Sequence, residues 1–402
     1  MKTHRYYLLV LAFVFLITSR GFTCEYNVRD SGFVNIDPRG YSLYLYADDS
    51  ISEETSKEFN SYAHLQARDT NLILRIIQSG DPESAAAMEY FRFWNVKSLP
   101  ALILVSPDKR SMLLYEHDRT GDRYLGLWEV LEGIVSSPVQ KEILENIILS
   151  YAVVLVIEGS VPEKNLAAIK TIEEASFEIS HLMKQLPKRI ERPPHIISLS
   201  QEDFKQEVIL LWSLDIDLQE LESPQVVILY GRGRIFLSPF QGDHLSVTQL
   251  TNVLSILGLA CDCGLDKRGM MGPTIPLKWD AGSQAEVVKY LGFDAENPLI
   301  KREISGILTT DNFRTSASSP GENSIKDTLR ELSLYNESVQ SFDRRFGENR
   351  LSPVKQRVLE NSAGASKESG LKVTFLLLLG AIIFLIALIT GLFILIKSRT
   401  QK

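Results

Sequence analysis

Two cysteines in one irregular stretch are the residues best suited to chemistry in this sequence. Cys261 and Cys263 are separated by a single residue, and Met270 and Met271 follow them. A C-x-C pair can bind a soft metal such as copper(I) or zinc, or close into a strained disulfide that is easily reduced. Zinc finds few good ligands here, because no second cysteine pair and no neighbouring histidine are present. A purely structural role for the pair is also open.

The third cysteine, Cys24, lies near the N-terminus and offers the pair a disulfide partner. Because any single bridge among three cysteines leaves one thiol over, an intermolecular link is a further alternative. Lipid attachment to Cys24 is disfavoured, since a lipoprotein signal has small residues just before its cysteine and this chain has the bulky Phe22.

The rest of the sequence contains no recognisable catalytic constellation. No nucleophile elbow, glycine-rich phosphate loop, paired carboxylates or H-E-x-x-H metal motif occurs in it, and no cofactor is predicted. The chain carries 43 Lys and Arg against 50 Asp and Glu, a net charge of −7. It therefore lacks the basic field that holds a nucleic-acid backbone, and nucleic acid is not an expected partner.

The two ends of the chain predict its compartment. Basic residues precede a short apolar run within residues 1–21, which is typical of a cleaved secretory signal peptide. Residues 372–396 contain an uninterrupted apolar stretch of 24 residues, Val373–Ile396, which is long enough to span a bilayer as one helix. The basic tail at 397–402 then lies in the cytoplasm by the positive-inside rule. The body is expected outside the cytoplasm, on the periplasmic side of the inner membrane if the source is bacterial.

Two similar α/β halves are predicted in the body. The first, at 22–148, has the element order β-α-β-α-β-β-α, and the second, at 149–308, repeats this order and adds the cysteine loop and a helical extension. The expected strands are 41–46, 71–78, 101–106 and 111–115 in the first half, and 151–158, 195–199, 225–230 and 234–237 in the second. Residues 309–371 are too polar to bury a core, which predicts a flexible stalk.

Matching residues in the two halves indicate an internal duplication. Ser50 and Ser160 each begin a capping-box pattern that predicts a helix start, and they lie 110 residues apart. Pro100 and Pro224 each precede an apolar strand and lie 124 residues apart. The second copy therefore carries an insertion of 14 residues, mostly in longer helices.

The stretch from Trp94 to Arg110 resembles the loop, proline, strand and hairpin of the thioredoxin-like fold. The resemblance implies an α/β architecture of two tandem thioredoxin-like domains, each with a central mixed sheet flanked by helices. The proline of this family is usually cis, so Leu99–Pro100 and Ser223–Pro224 are the candidate cis bonds.

The sequence departs from this family where thioredoxins carry C-x-x-C, at the junction of the first strand and its helix. Those junctions read Ala-Asp-Asp-Ser at 47–50 and Glu-Gly-Ser-Val at 158–161, without a cysteine. A helix N-terminus normally stabilises the reactive thiolate there, so the family's redox mechanism transfers to no residue of this chain. The resemblance still implies a peptide-binding surface at the loops of Leu99 and Pro100, and of Ser223 and Pro224, where an extended partner pairs by strand addition. Alternatively, each proline only shapes its loop.

These observations predict a membrane-anchored, extracytoplasmic binding or scaffold protein with redox-inactive thioredoxin-like domains. Its expected partners are the membrane itself and another envelope or membrane protein, and its oligomeric state is left open. A rival hypothesis is a thiol-redox or copper-handling protein that uses Cys261 and Cys263, with Cys24 as a further candidate. A third is an accessory subunit of a membrane transporter that is contacted through the anchor helix.

Overall fold

The computed structural model of this chain describes residues 26–36, 40–47, 67–77, 84–117, 125–186, 188–218, 221–259 and 272–309, together with positions 57, 60, 61, 64 and 65. The expected signal peptide at 1–21, the stalk beyond 309, the anchor at 372–396 and the tail at 397–402 lie outside these residues. Within the described ranges, no helix is both long enough and apolar enough to cross a membrane.

A four-stranded mixed sheet forms the centre of the first half. A short helix, α1 (Val28–Ser31), comes before it in sequence, and its own elements are β1 (Tyr41–Tyr46), β2 (Leu72–Ile77), α2 (Ala85–Phe93), β3 (Ala101–Val105), β4 (Ser111–Glu116) and α3 (Leu125–Gly133). The strand order is β2-β1-β3-β4. Strand β1 is parallel to β2 and antiparallel to β3, which is antiparallel to β4. Because side chains alternate along a strand, Leu102 and Leu104 pack with α3 on one face, while Ala101 and Ile103 pack with α2 on the other.

An equivalent sheet forms the centre of the second half. After a linking helix, α4 (Pro138–Ile147), its elements are β5 (Val153–Ile157), α5 (Pro162–Leu182), β6 (His195–Leu199), α6 (Val208–Ser213), β7 (Gln225–Tyr230), β8 (Arg234–Gln241) and α7 (Val247–Ser255). The strand order, β6-β5-β7-β8, and the strand directions repeat those of the first sheet. Two further helices, α8 (Ala281–Leu291) and α9 (Pro298–Thr309), end the described chain.

The structure confirms the eight predicted strands and corrects several helix starts. The capping box expected at Ser160 is wrong, because Val161 is the N-cap of α5 and makes no side-chain cap bond. Pro162 takes the first helical position instead, where its missing N–H costs nothing. The helix expected from Gln201 is only a short 3₁₀ turn there, and α6 begins at Val208. Ser50, the other expected capping residue, lies outside the described residues.

Residues 26–36 pack against the second sheet, although they precede the first sheet in sequence. The amide of Val28 donates to the carbonyl of Leu259 over 2.9 Å, and the amide of Arg232 donates to the carbonyl of Gly32 over 3.1 Å. Phe33 and Val34 are fully buried among side chains of β5 and β7. The N-terminal segment is therefore part of the core of the second half.

The two halves share core and backbone contacts. Trp212 of α6 packs against the first core, with its ring centroid 6.1 Å from that of Tyr41. The segment 272–279 lies between the sheets. Its Ile275 accepts a bond from the Asn71 side chain of the first half over 2.8 Å, and its amide donates to Gly233 of the second half over 2.9 Å. These contacts make the halves one continuous body.

Arg110, in the hairpin between β3 and β4, is the main charged link between the halves. Its guanidinium donates to the carbonyl of Trp212 over 2.6 Å and lies 3.2 Å from the carboxylate of Asp215. The carboxylate of Asp108 lies 2.8 Å from Nε of Arg110 and orients the guanidinium.

Replacing Arg110 with alanine is expected to lower the free energy of unfolding by about 1–3 kcal/mol, because charge-assisted hydrogen bonds and a buried alkyl stem are lost. The urea midpoint, followed by circular dichroism, measures this change. Arg110→Lys is the matched control, and it should recover only part of the loss, since an ammonium cannot reproduce the planar fork. Full recovery by lysine would show that only the charge matters.

Candidate functional site

The candidate site lies at the edge of the first sheet where β1 and β4 end and β3 begins. Tyr46, the last residue of β1, pairs with Ala101, the first of β3, and Ala101 pairs with Glu116, the last of β4. The next residues along each chain, among them Pro100 and His117, therefore meet at this edge. The sequence resemblance places peptide binding at this same position.

The loop that leads to Pro100 is shaped by backbone geometry just after α2. Asn95 has a left-handed φ of 51°, which asparagine tolerates better than most residues. The following Val96 is buried, and its amide donates back to the carbonyl of Phe91 over 3.3 Å. The chain then turns towards β3 through the Leu99–Pro100 bond, which is cis as the resemblance implies.

Glu116 and His117 hold this loop from the neighbouring strand. One carboxylate oxygen of Glu116, Oε1, accepts the amide of Lys97 over 2.5 Å and the amide of Ser98 over 2.9 Å. The backbone amide of His117 donates to the carbonyl of Pro100 over 3.1 Å. The residues on either side of Leu99 are thus fixed to the sheet.

Leu99 differs from its neighbours in this loop, because its backbone is not held by the contacts described above. Its side chain is half-buried and packs against the apolar cluster on the α2 face of the sheet. Within the described part of the chain, neither its amide nor its carbonyl has a hydrogen-bond partner. A free donor and acceptor on a fixed backbone are what an added strand needs in order to pair.

Aromatic side chains beneath the loop are structural. The rings of Tyr44 and Tyr90 stack at 6.0 Å, and the hydroxyl of Tyr46 donates to the carbonyl of Ala87. Burial raises the pKa of Tyr46, and it also raises the pKa of Tyr90. Both phenols stay protonated at neutral pH, so Tyr46 acts as a hydrogen-bond donor, while Tyr90 packs against Tyr44.

The corresponding loop of the second half is closed by its own backbone. The amides of Ser160 and Val161 donate to the carbonyls of Leu221 and Glu222 over 2.9 and 3.3 Å. Gly159 lies so close to the loop before Pro224 that a Cβ on it would stand 2.3 Å from the carbonyl oxygen of Glu222. The junction and the loop before Pro224 therefore touch directly and leave no room for an extended chain between them.

Two details separate the second proline loop further from the first. The Ser223–Pro224 bond is not cis, and the side chain of Ser223 accepts a bond from Lys164 over 2.8 Å. The carbonyl of Pro224 accepts a hydrogen bond from the amide of Gly242 over 2.7 Å. In the same way, the carbonyl of Pro100 accepts one from the amide of His117. The copies thus share their sheet geometry and differ in the loop.

Neither protein-family models nor curated proteins match this chain. Among solved structures, it is similar to the first two thioredoxin domains of Saccharomyces cerevisiae Eps1p, with 8% identity and a TM-score of 0.16 over 48% of this chain and 82% of that one. The first two thioredoxin domains of Naumovozyma dairenensis Eps1p give 12% identity and a TM-score of 0.19 over 59% of this chain and 97% of that one. A crystal structure of ERdj5 gives 13% identity and a TM-score of 0.18 over 54% of this chain and 25% of that one.

The strand order and the position of the proline decide the fold. In each half a parallel strand pair is followed by an antiparallel hairpin, and a proline stands directly before the first strand of that hairpin. Both halves have the thioredoxin-like fold. The tandem arrangement predicted from the sequence is thereby confirmed.

The thioredoxin-like domains bring no metal cluster together in the ranges that the structure describes. Cys24, Cys261 and Cys263 lie outside those ranges, as do Met270 and Met271.

Proposed function

We propose that this chain is a membrane-anchored, extracytoplasmic binding protein that uses its first thioredoxin-like domain to hold an extended segment of a partner protein, without redox chemistry. The observation that carries the proposal is Leu99, whose backbone amide and carbonyl have no hydrogen-bond partner among the described residues and which lies in a loop held by Glu116 and His117. Strand addition at such an edge takes its affinity from main-chain hydrogen bonds.

The second domain supports the first in this proposal. Its own loop before Pro224 is closed by the backbone bonds from Ser160 and Val161. Its helix α6 and the segment 272–279 pack on the first sheet and hold it in place. A rigid edge lowers the entropy that binding must overcome.

The sequence supports the location and the class of partner. A signal at 1–21, a polar stretch at 309–371 and an apolar stretch at 372–396 with a basic flank together favour a body tethered outside the cytoplasm. The partner is then another envelope or membrane protein with an extended segment within reach of the tether.

Leu99→Pro tests the proposal, because proline removes the backbone donor. The full chain in detergent is titrated against fluorescein-labelled lactalbumin that has been reduced and carboxymethylated, and binding is followed by anisotropy. We expect Leu99→Pro to weaken binding by about tenfold, which corresponds to one lost hydrogen bond. Leu99→Ala keeps the donor and should retain most of the affinity. Ser223→Pro, the matched change in the second domain, should leave affinity unchanged.

The outcomes separate the proposal from its rivals. Equal loss in Leu99→Pro and Ser223→Pro, with both variants folded by circular dichroism, contradicts a site in the first domain. A double Cys261→Ser, Cys263→Ser variant should bind as the wild type does. Loss of binding in that variant, with activity of the wild type in insulin reduction or copper(I) titration, would establish the cysteine-based alternative.

A further inference from the structure

Glu116 makes an unusual contact for a residue at the end of a strand. It is the last residue of β4 and stands opposite Ala101 in the register. Its side chain reaches across to the neighbouring loop, where one oxygen accepts the amides of both Lys97 and Ser98. Two successive backbone donors therefore converge on a single anionic atom.

This convergence has a clear physical effect. Successive N–H groups in a turn form a concave site for an anion, and here the carboxylate of Glu116 occupies it. Hydrogen bonds to an ionised acceptor are stronger than neutral ones, and they fix the direction of the peptide planes at Lys97 and Ser98. The plane that follows belongs to Leu99, so the orientation of the Leu99 amide depends on this contact.

The second domain provides an internal comparison. Gln241 ends β8 and stands opposite Gln225 in the matching register, where Glu116 stands in the first domain. No hydrogen bond from Gln241 to the loop before Pro224 occurs in the described structure. That loop is fixed by backbone bonds from Ser160 and Val161 instead. Among the described residues, a side chain thus anchors the loop before Pro100, whereas backbone amides anchor the loop before Pro224.

We propose that Glu116 is the positioning residue of the Leu99 edge, and that it acts on the partner segment through the backbone of residues 97–99. This inference rests on the proposed function for its binding consequence. Its structural part, the restraint of two amides, stands on its own and can be measured without a ligand.

The test uses three variants of the full chain in detergent: Glu116→Ala, Glu116→Gln and, as the matched control, Gln241→Ala. Hydrogen exchange followed by mass spectrometry reports on peptides that cover residues 95–100. In Glu116→Ala we expect about tenfold faster exchange there, because both amides lose their acceptor. Glutamine retains an acceptor oxygen and should restore most of the protection, whereas Gln241→Ala should change nothing in this segment.

The same variants are titrated against labelled, carboxymethylated lactalbumin. We expect Glu116→Ala to bind about tenfold more weakly, with a melting temperature close to that of the wild type, and Glu116→Gln to recover most of the affinity.

Unchanged exchange at 95–100 in Glu116→Ala would overturn the inference whatever happens to binding. If exchange responds as expected and the wild type binds no lactalbumin, the restraint stands and the proposed function fails. If the wild type binds and Glu116→Ala binds equally well, the function stands and the positioning role is wrong.

Discussion

Replacing Arg29 with alanine is expected to lower the free energy of unfolding by about 3–5 kcal/mol, the usual cost of removing one partner from a buried ion pair. Arg29 and Asp30 are 2% and 1% exposed, and their charged groups lie 2.9 Å apart. The guanidinium also donates to the carbonyls of Ser150, over 3.0 Å, and of Ile148. Truncation therefore leaves two buried carbonyls without their donor and takes one of its two cations from the buried carboxylate of Asp30.

The charge state of this cluster supports the size of the effect. Burial lowers the pKa of Arg29, and the neighbouring Asp30 raises it again, so the guanidinium remains charged at neutral pH. Lys188 lies 2.8 Å from the second oxygen of Asp30 and gives the carboxylate a further cation. That single ammonium cannot replace the fork of Arg29, which bridges α1 to the chain after α4.

Equilibrium urea unfolding of the variants measures this prediction. The double variant Arg29→Met, Asp30→Leu is the control, since replacing both charges by apolar groups also removes the buried carboxylate that loses its guanidinium partner in Arg29→Ala. It should be more stable than Arg29→Ala. An Arg29→Ala midpoint equal to that of the wild type would show that the N-terminal segment contributes nothing to the second core.

Replacing Gly231 with alanine is also expected to be strongly destabilising, and it should lower the free energy of unfolding by about 3 kcal/mol or more. Gly231 has a φ of +57°, which disfavours any side chain. A Cβ at this position would stand 2.2 Å from the carbonyl carbon of Gly32. Because the obstacle is backbone, the N-terminal segment must move away from the hairpin between β7 and β8.

Limited proteolysis measures the displacement, since residues 26–36 should become cleavable in Gly231→Ala and stay protected in the wild type. Gly306→Ala is the matched control. Gly306 lies within α9, and a Cβ there meets nothing within 4 Å. It should raise stability by roughly 0.5–1 kcal/mol through helix propensity. Equal behaviour of the two variants would contradict the close packing at Gly231.

The sequence predicted the sheets well because their signals are local. Apolar runs such as Val153–Ile157 and Gln225–Tyr230 are bounded by turn residues, and the same order of elements is predicted in both halves. The helix α4 was not predicted, although a capping box at Ser137 and a proline at the first helical position mark its start. The packing of residues 26–36 on the second sheet was also missed, because it depends on contacts across about two hundred positions, as from Arg232 to Gly32.

The candidate site was predicted only in part. Leu99 and Pro100 were found through the family resemblance, but nothing in the sequence distinguished them from Ser223 and Pro224. The difference comes from tertiary contacts, since Glu116 anchors one loop and the backbone near Gly159 closes the other. A charged residue at the end of a half-buried strand was the one signal that could have marked Glu116.

Site-specific photocrosslinking tests the central claim most directly. Benzoylphenylalanine is placed at position 98 or at position 222, each two residues before the proline of its domain, in the full chain expressed in cells. We expect position 98 to crosslink to a partner protein, unlabelled carboxymethylated lactalbumin to reduce the yield of this adduct, and position 222 to give no adduct. An adduct at position 222 without one at 98 would contradict binding at the Leu99 edge, as would equal adducts at both.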